Sequence, residues 1–316
     1  MVYLGVDLGG TGIKVGLVTE KGEILAKGST PTKRERPYQE IIADIADLCK
    51  RVVGETAYTM DDVAAVGVGI PGICDPHTGV IPFCTNLGWH EVPFVDEMHK
   101  YIDKPVIVDN DATVAGYAES IAGVSAGAKL SVFLTLGTGV GGAIILNGKP
   151  FSGAHGVGSE LGHLIIRMDG DPCNCGNAGC FERYASATAV IRMGKEAVAR
   201  HPESRIVSRV NGDLSRINAK TVIDCAKEGD EAALEAFGEY VKGLATGIVS
   251  IIHMFDPEVI ALGGGVSMAG DFLVDAVRKE IPKMVMYKTM PFARIELAQL
   301  GADAGIIGAA LLGIEQ

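Results

Sequence analysis

The chain of 316 residues is 47% hydrophobic and 21% charged, enough apolar material for a sizeable core, and its length suits two lobes of ordinary size. A formal net charge of -11 disfavours nucleic acid and anionic membranes as partners. No apolar run approaches the roughly 20 residues of a membrane span; the longest, around Leu244–Phe255 and Ile306–Leu312, are short or carry polar residues. Asp7 follows the start too closely for a secretory leader, so a cytoplasmic protein is expected. The seven cysteines, three of them crowded between Cys173 and Cys180, then point to metal ligation more than to disulfides.

In chain order, Val2–Asp7 is an apolar strand that breaks into Leu8-Gly9-Gly10-Thr11-Gly12; Lys14–Val18 and Ile24–Gly28 continue as strands around the Glu20-Lys21-Gly22 turn. Lys33-Arg34-Glu35-Arg36 reads as a solvated turn, and helical periodicity follows over Tyr38–Val53. Val63–Gly69 is a buried-type strand ending in Ile70-Pro71-Gly72. Pro105–Val108 is a strand with Asp109-Asn110-Asp111 at its end, and Ala112–Ile121 is a helix. The opening pattern then returns: the strand Ser131–Thr135, the turn Leu136-Gly137-Thr138-Gly139-Val140-Gly141-Gly142, and the strand Ala143–Leu146 running into an Asn147-Gly148 hairpin. Helical periodicity covers Ala219–Phe255, and the strand Val259–Leu262 ends in Gly263-Gly264-Gly265.

The chain therefore reads as two α/β lobes, each opening on a hairpin with a glycine-rich first turn. Two such turns, each with a threonine, suit the two ends of a polyphosphate, although glycine turns are also common as plain hairpins. Neither is a Walker A loop, since no Gly-Lys-Ser/Thr follows. Gly137–Gly142 has the look of a dinucleotide fingerprint, but a strand follows it where that motif needs a helix.

Asp111 stands at a strand-to-helix junction, where side chains of α/β folds project toward ligands. It either caps the helix, as Asp109 or Asn110 also could, or takes a proton from a hydroxyl; the sequence leaves both open. His163 with Cys173, Cys175 and Cys180, the loop made pliable by glycines, suits a four-coordinate structural zinc with no position left for a reactive water. Glu160 and Glu182 flank that cluster, either as surface carboxylates or as acceptors for vicinal sugar hydroxyls held by the pinned loop.

Nearly end to end, these residues resemble the ROK family (repressors, open reading frames and kinases) of the sugar kinase and actin superfamily. Asp7–Lys14 and Leu136–Gly142 are similar to its two phosphate motifs, Asn110-Asp111 to its sugar-binding and catalytic pair, and Gly263–Gly265 to its adenosine-side loop. Glu160-Leu161-Gly162-His163 with Cys173 to Glu182 resembles the family signature, with Gly158-Ser159 where members more often show Ala-Gly.

The resemblance implies an α/β, two-lobed actin-like (ribonuclease H-like) ATPase fold with a ligand cleft between lobes. The first lobe would span residues 1–112, completed by a C-terminal helix over 304–316, and the second 113–303 with a zinc loop at 163–180. It implies Asp111 as general base, with Gly72, Asn86, Asn110, Glu160, His163 and Glu182 on sugar hydroxyls. ATP and Mg²⁺ would take Asp7, which holds the cation through water, and Gly9, Gly10, Thr11, Lys14, Gly137, Thr138, Gly139, Gly264 and Gly265. Zn²⁺ would sit on His163, Cys173, Cys175 and Cys180, His163 offering its other ring nitrogen to the sugar. Phe83–Trp89 with Val92-Pro93 resembles the glucose-phosphorylating members in particular, although Trp89 also suits a core. Rival substrates are N-acetylglucosamine, N-acetylmannosamine, mannose and allose, and polyphosphate is a rival donor. The family's sugar-sensing repressors carry an N-terminal helix-turn-helix domain; here the first strand opens at Val2, and the expectation is an enzyme. The family also implies a homodimer or homotetramer.

Overall fold

A computed structural model describes residues 1–315. Its elements begin with strands β1 (Val2–Leu8), β2 (Gly12–Thr19) and β3 (Ile24–Pro31), then helix α1 (Tyr38–Gly54) and β4 (Val63–Ile70). A small hairpin of β5 (Ile81–Cys84) and β6 (Trp89–Val92) leads through α2 (Phe94–Met98) to β7 (Val106–Asn110) and α3 (Asp111–Ala122). Next come β8 (Leu130–Leu136), β9 (Val140–Leu146) and β10 (Lys149–Pro150), then α4 (Glu182–Ala185), α5 (Ala187–Arg200) and α6 (Arg205–Arg209). The chain continues with α7 (Ala219–Lys227), α8 (Glu231–Phe255), β11 (Val259–Gly263), α9 (Asp271–Met284), β12 (Arg294–Leu297) and α10 (Ala304–Leu311).

The two five-stranded sheets have the same plan, in the orders β3-β2-β1-β4-β7 and β10-β9-β8-β11-β12. In each, the strand entering a glycine turn is central, the strands after the turn lie to one side, and later strands add on the other. The echo read from the glycine turns is thus an echo of topology. Asn147 and Gly148 both have positive φ (54° and 78°), as the tight β9–β10 turn requires.

The helical stretch expected over Ala219–Phe255 is two helices. Gly229 (φ 81°) breaks it, and Asp230 caps α8 by accepting from the Ala233 N–H at 3.0 Å. The apolar period runs on past the break, which hid it.

Packing divides the described residues into one unit of residues 1–133, 143–159 and 298–315 and another of 134–142 and 160–297. In the first unit, β1 pairs antiparallel with β2 and parallel with β4, and β4 pairs parallel with β7. The α1 side chains Ile41, Ile42, Ile45 and Val52 share its core with Leu4, Val6, Leu17, Val66, Val68 and Trp89. So Trp89, whose role the sequence left open, is a core residue. On the sheet, α10 lies against Tyr3, Val18 and Ala65 through Ile306 and Ala310. The approach is close enough that a methyl on Gly5 would strike the Ile306 carbonyl, and one on Gly67 that of Ala309. The helix expected over 304–316 ends at Leu311, a 3₁₀ turn covers Leu312–Glu315, and Gln316 lies outside the described residues. Among the described residues no helix is long and apolar enough to cross a membrane.

Candidate functional site

The register of the first sheet sets Asp7 beside Gly69, Gly69 beside Asp109, and Ile70 beside Asn110. Asp7, the Ile70–Gly72 turn and Asp109–Asp111 thus emerge together at the carboxyl ends of three adjoining strands, the edge at which open α/β sheets bind ligands. Asn110 caps α3: its Oδ1 accepts from the N–H groups of Ala112 (2.9 Å) and Thr113 (3.3 Å), while its Nδ2 donates to the Gly72 carbonyl at 3.1 Å. Asp111 is the first helical residue, with Oδ1 accepting from the Ala112 N–H at 2.8 Å. The capping role that the sequence left open among three residues falls to Asn110.

Asp109 is held by the Asn110 N–H at 2.7 Å, and burial pushes its carboxyl up to about 6. Cys74 lies near enough to both Asp109 and Asp111 for their charges to add to the effect of burial in raising its thiol. The unfolded chain releases the Asp109 proton near 3.9, whereas the folded chain keeps it to about 6, so this group costs stability as pH rises between the two. Asp109→Asn keeps the acceptor for Asn110 and removes that cost. Urea unfolding is expected to show the variant more stable at pH 7.5, by at most about 3 kcal/mol, with no gain near pH 4. An equal change at both pH values would contradict the assignment.

In the first glycine turn, the Gly9 N–H donates to Gly12 O at 2.9 Å. Thr32, buried just past β3, donates its hydroxyl to Gly9 O at 2.6 Å and its N–H to Thr11 O at 3.2 Å. Lys14 reaches across the hairpin to Asp7, Nζ to Oδ2 at 3.2 Å. Gly10 faces the turn between β5 and β6: a Cβ there would lie 3.6 Å from Asn86 Cβ. Gly72 packs against Cys84 in the same hairpin, whose Sγ donates to Pro71 O at 3.3 Å. The first unit therefore gathers Asp7, Gly9–Thr11, Lys14, Gly72, Asn86, Asn110 and Asp111.

The second unit gathers the rest. In its glycine turn the Gly137 N–H donates to Gly139 O at 3.0 Å, and the start of α5 supplies two further donors: Ala187 N to Gly137 O at 2.8 Å and Thr188 Oγ1 to Thr138 O at 2.7 Å. Glu182 lies over this turn, with Oε2 accepting from the Val140 N–H at 3.2 Å; any side chain at Gly139 would collide with its carboxylate. Gly264 (φ 82°) packs on the backbone of Leu136, so the Gly263–Gly265 loop abuts the same turn. Glu160 is exposed and caps nothing with its side chain. Just before it, at the end of the first unit's 143–159 segment, Ser159 Oγ donates to Phe151 O at 2.7 Å, and Gly158 lies so close to Gly153 that an alanine there would put its Cβ 2.8 Å from the Gly153 N.

His163, Cys173, Cys175 and Cys180 converge, their ligand atoms all within 4.8 Å of one another. Cys173 Sγ is 3.8 Å from His163 Nδ1, and the sulfurs of Cys175 and Cys180 are 3.6 Å apart. A tetrahedron with zinc–sulfur bonds of about 2.3 Å has edges of about 3.8 Å, so the donors fit zinc. Burial raises the thiols of Cys173 and Cys180, the latter to about 12, whereas the Asn177 N–H draws Cys175 down to about 7. A cation is what would favour the thiolates there. The other cysteines, Cys49, Cys74, Cys84 and Cys225, are buried packing residues.

The sequence reading passed over Thr32, Thr188, Tyr184 and Arg192. The Tyr184 hydroxyl accepts from the Asp171 N–H at 2.7 Å and Arg192 pairs with Asp171 at 3.0 Å, so both brace the cysteine loop from outside it. Only Thr188 had a local signal, since Ser186 caps α5 through the Ala189 N–H at 3.2 Å and so marks the helix start.

Paired glycine turns, a strand-end carboxylate and a Cys₃His knuckle on an α/β frame define a phosphoryl-transfer class of protein. The chain matches the ROK family over residues 3–316 and belongs to it. It is 38% identical to a glucokinase of Halalkalibacterium halodurans over 316 residues, covering 99% of this chain and 95% of that protein. It is also 38% identical to a glucokinase of Thermotoga maritima over 309 residues, covering 97% and 95%. The crystal structure of a ROK family glucokinase from Streptomyces griseus in complex with glucose and AMPPNP superimposes with a TM-score of 0.85 at 33% identity, each chain covered in full at 100%. The fold is the actin-like α/β fold of the ROK sugar kinases.

Proposed function

We propose that the chain is a cytoplasmic, ATP-dependent glucokinase that phosphorylates the 6-hydroxyl of glucose and assembles as a homodimer or homotetramer. The glucokinase relatives and the glucose–AMPPNP complex support the substrate and the donor. The observation that carries the reading is the division of roles at the start of α3. Asn110 caps the helix, so Asp111, set in the first turn where backbone N–H dipoles favour a carboxylate, serves as general base.

Asp111 accepts the proton as the sugar oxygen bonds to the γ-phosphorus and the bond to the β,γ-bridging oxygen breaks, releasing ADP. Gly72, Asn86, Asn110, Glu160, His163 and Glu182 orient the sugar. Gly9, Gly10, Thr11, Lys14, Gly137, Thr138 and Gly139 take the phosphates, and Gly264 and Gly265 the adenosine. Asp7 would hold Mg²⁺ through water, where the cation neutralises phosphate charge. His163, Cys173, Cys175 and Cys180 would hold Zn²⁺ and so fix the loop that carries Glu160 and Glu182.

A coupled ADP-release assay over a sugar panel tests this. Glucose is expected to exceed mannose, allose, N-acetylglucosamine and N-acetylmannosamine in kcat/KM by at least about tenfold, the discrimination of roughly one lost polar contact. A higher value for another sugar replaces glucose; sugar phosphate formed from polyphosphate in the absence of ATP, measured directly because no ADP is released, replaces ATP as the donor; and failure to phosphorylate any sugar refutes the kinase reading.

A further inference from the structure

Both glycine turns are gripped in the same way. In the first, the Thr32 hydroxyl and N–H take the carbonyl oxygens of Gly9 and Thr11; in the second, the Thr188 hydroxyl and the Ala187 N–H take those of Thr138 and Gly137. Each turn also ties one of its own glycine N–H groups to a carbonyl within it, Gly9 to Gly12 and Gly137 to Gly139. The threonines come from unrelated elements, Thr32 from just past β3 and Thr188 from the first turn of α5. Thr32 is itself anchored: its carbonyl accepts from Arg36 Nη2 at 3.2 Å, and that guanidinium pairs with Asp44 of α1 at 2.5 Å.

A backbone turn attracts an anion only when its N–H groups face the charge and its carbonyl dipoles are turned away, because a carbonyl oxygen aimed at a phosphate repels it. A donor behind the turn secures that polarity before the ligand arrives, which is preorganisation in the electrostatic sense. We propose that Thr32 and Thr188 are positioning residues that set the polarity of the two phosphate turns, and so govern affinity for the nucleotide's polyphosphate without governing affinity for the sugar. The inference rests on the kinase reading above for the identity of the ligand.

The test compares Thr32→Val, Thr188→Val and the double variant, which keep side-chain shape and lose the hydroxyl, with Thr32→Ser and Thr188→Ser, which keep it. MgADP affinity is measured by calorimetry, and KM for ATP and for glucose by the coupled assay. Each valine is expected to weaken MgADP binding about tenfold, or about 1.4 kcal/mol, the scale of one hydrogen bond, and the pair about a hundredfold. The glucose KM is expected to stay within about twofold, and each serine to restore MgADP affinity to within about twofold of the parent chain. Thr188 is exposed on a helix, so its valine variant folds even if the buried Thr32 site does not tolerate the change. Unchanged MgADP affinity in the valine variants, or a glucose KM rising in step with that for ATP, overturns the inference. A parent chain that binds MgADP but phosphorylates no sugar refutes the kinase reading alone, since the MgADP affinities decide the threonine inference by themselves. A parent chain that binds no MgADP overturns both.

Discussion

Asp111→Asn is expected to lower kcat by about a thousandfold or more, within the range spanned by loss of a general base, while glucose still binds. The variant is well posed because Asn110, not Asp111, caps α3. Asparagine at 111 keeps an oxygen for the Ala112 N–H that Asp111 Oδ1 now accepts at 2.8 Å. What it loses is the ability to take a proton and the charge at the helix start, the latter worth up to about 1 kcal/mol. The melting temperature should therefore fall by no more than about 4 °C. Glucose affinity by calorimetry, kcat by ADP release and a melting curve together separate catalysis from capping. A kcat within about tenfold of the parent chain would remove Asp111 as the base.

Cys175→Ser is expected to release the metal, from about one zinc per chain to almost none by elemental analysis. Cys175 is the exposed member of the cluster, so the substitution leaves no cavity in the core. The segment it anchors has little regular structure: a 3₁₀ turn at Leu161–His163 and the isolated bridges Ile165 to Cys180 and Pro172 to Ala178. Its backbone bonds are those of turns and bridges, such as Ile166 N–H to Gly179 O at 2.9 Å and Cys173 N–H to Asn177 O at 2.8 Å, so a bound cation would tie together pieces that no helix or sheet joins. Its loss should lower the melting temperature by about 10 °C, equivalent to ~3–5 kcal/mol for a unit of this size. The glucose KM should rise at the same time, because Glu160 and Glu182 flank the freed segment. Normal zinc content would overturn the ligand set.

Local signals carried most of the sheets. The strand–glycine turn–strand patterns at Val2–Val18 and Ser131–Leu146, with the Asn147-Gly148 hairpin, gave the antiparallel half of each sheet because it depends on neighbours in sequence; the order of the later strands, and β12 itself, were not read. The Cys₃His knuckle was legible for the same reason, its three cysteines lying within eight residues. What could not be read was non-local. Thr32 grips a turn some twenty residues upstream and Thr188 one fifty residues upstream; the Ser186 cap marks Thr188 as a helix-start residue, but nothing local shows which turn either hydroxyl reaches. Asp109, Asn110 and Asp111 are interchangeable as caps by residue type; only the backbone geometry assigns the role. The grouping of residues 143–159 with the first unit is likewise a product of packing that no composition shift announces.

The seating of α10 on Gly5 and Gly67 bears on biosynthesis. The helix at residues 304–311 covers a face of the sheet built from β1, at residues 2–8, and β4. During translation that glycine-lined face emerges well before residues 304–311, the helix that covers it, have been made. The first unit to be made is thus among the last to be finished, and it depends on contacts of very high sequence separation, which form slowly. Until that helix is added the nascent chain exposes an apolar sheet surface, so its yield in the cell depends on how well that surface is shielded in the meantime.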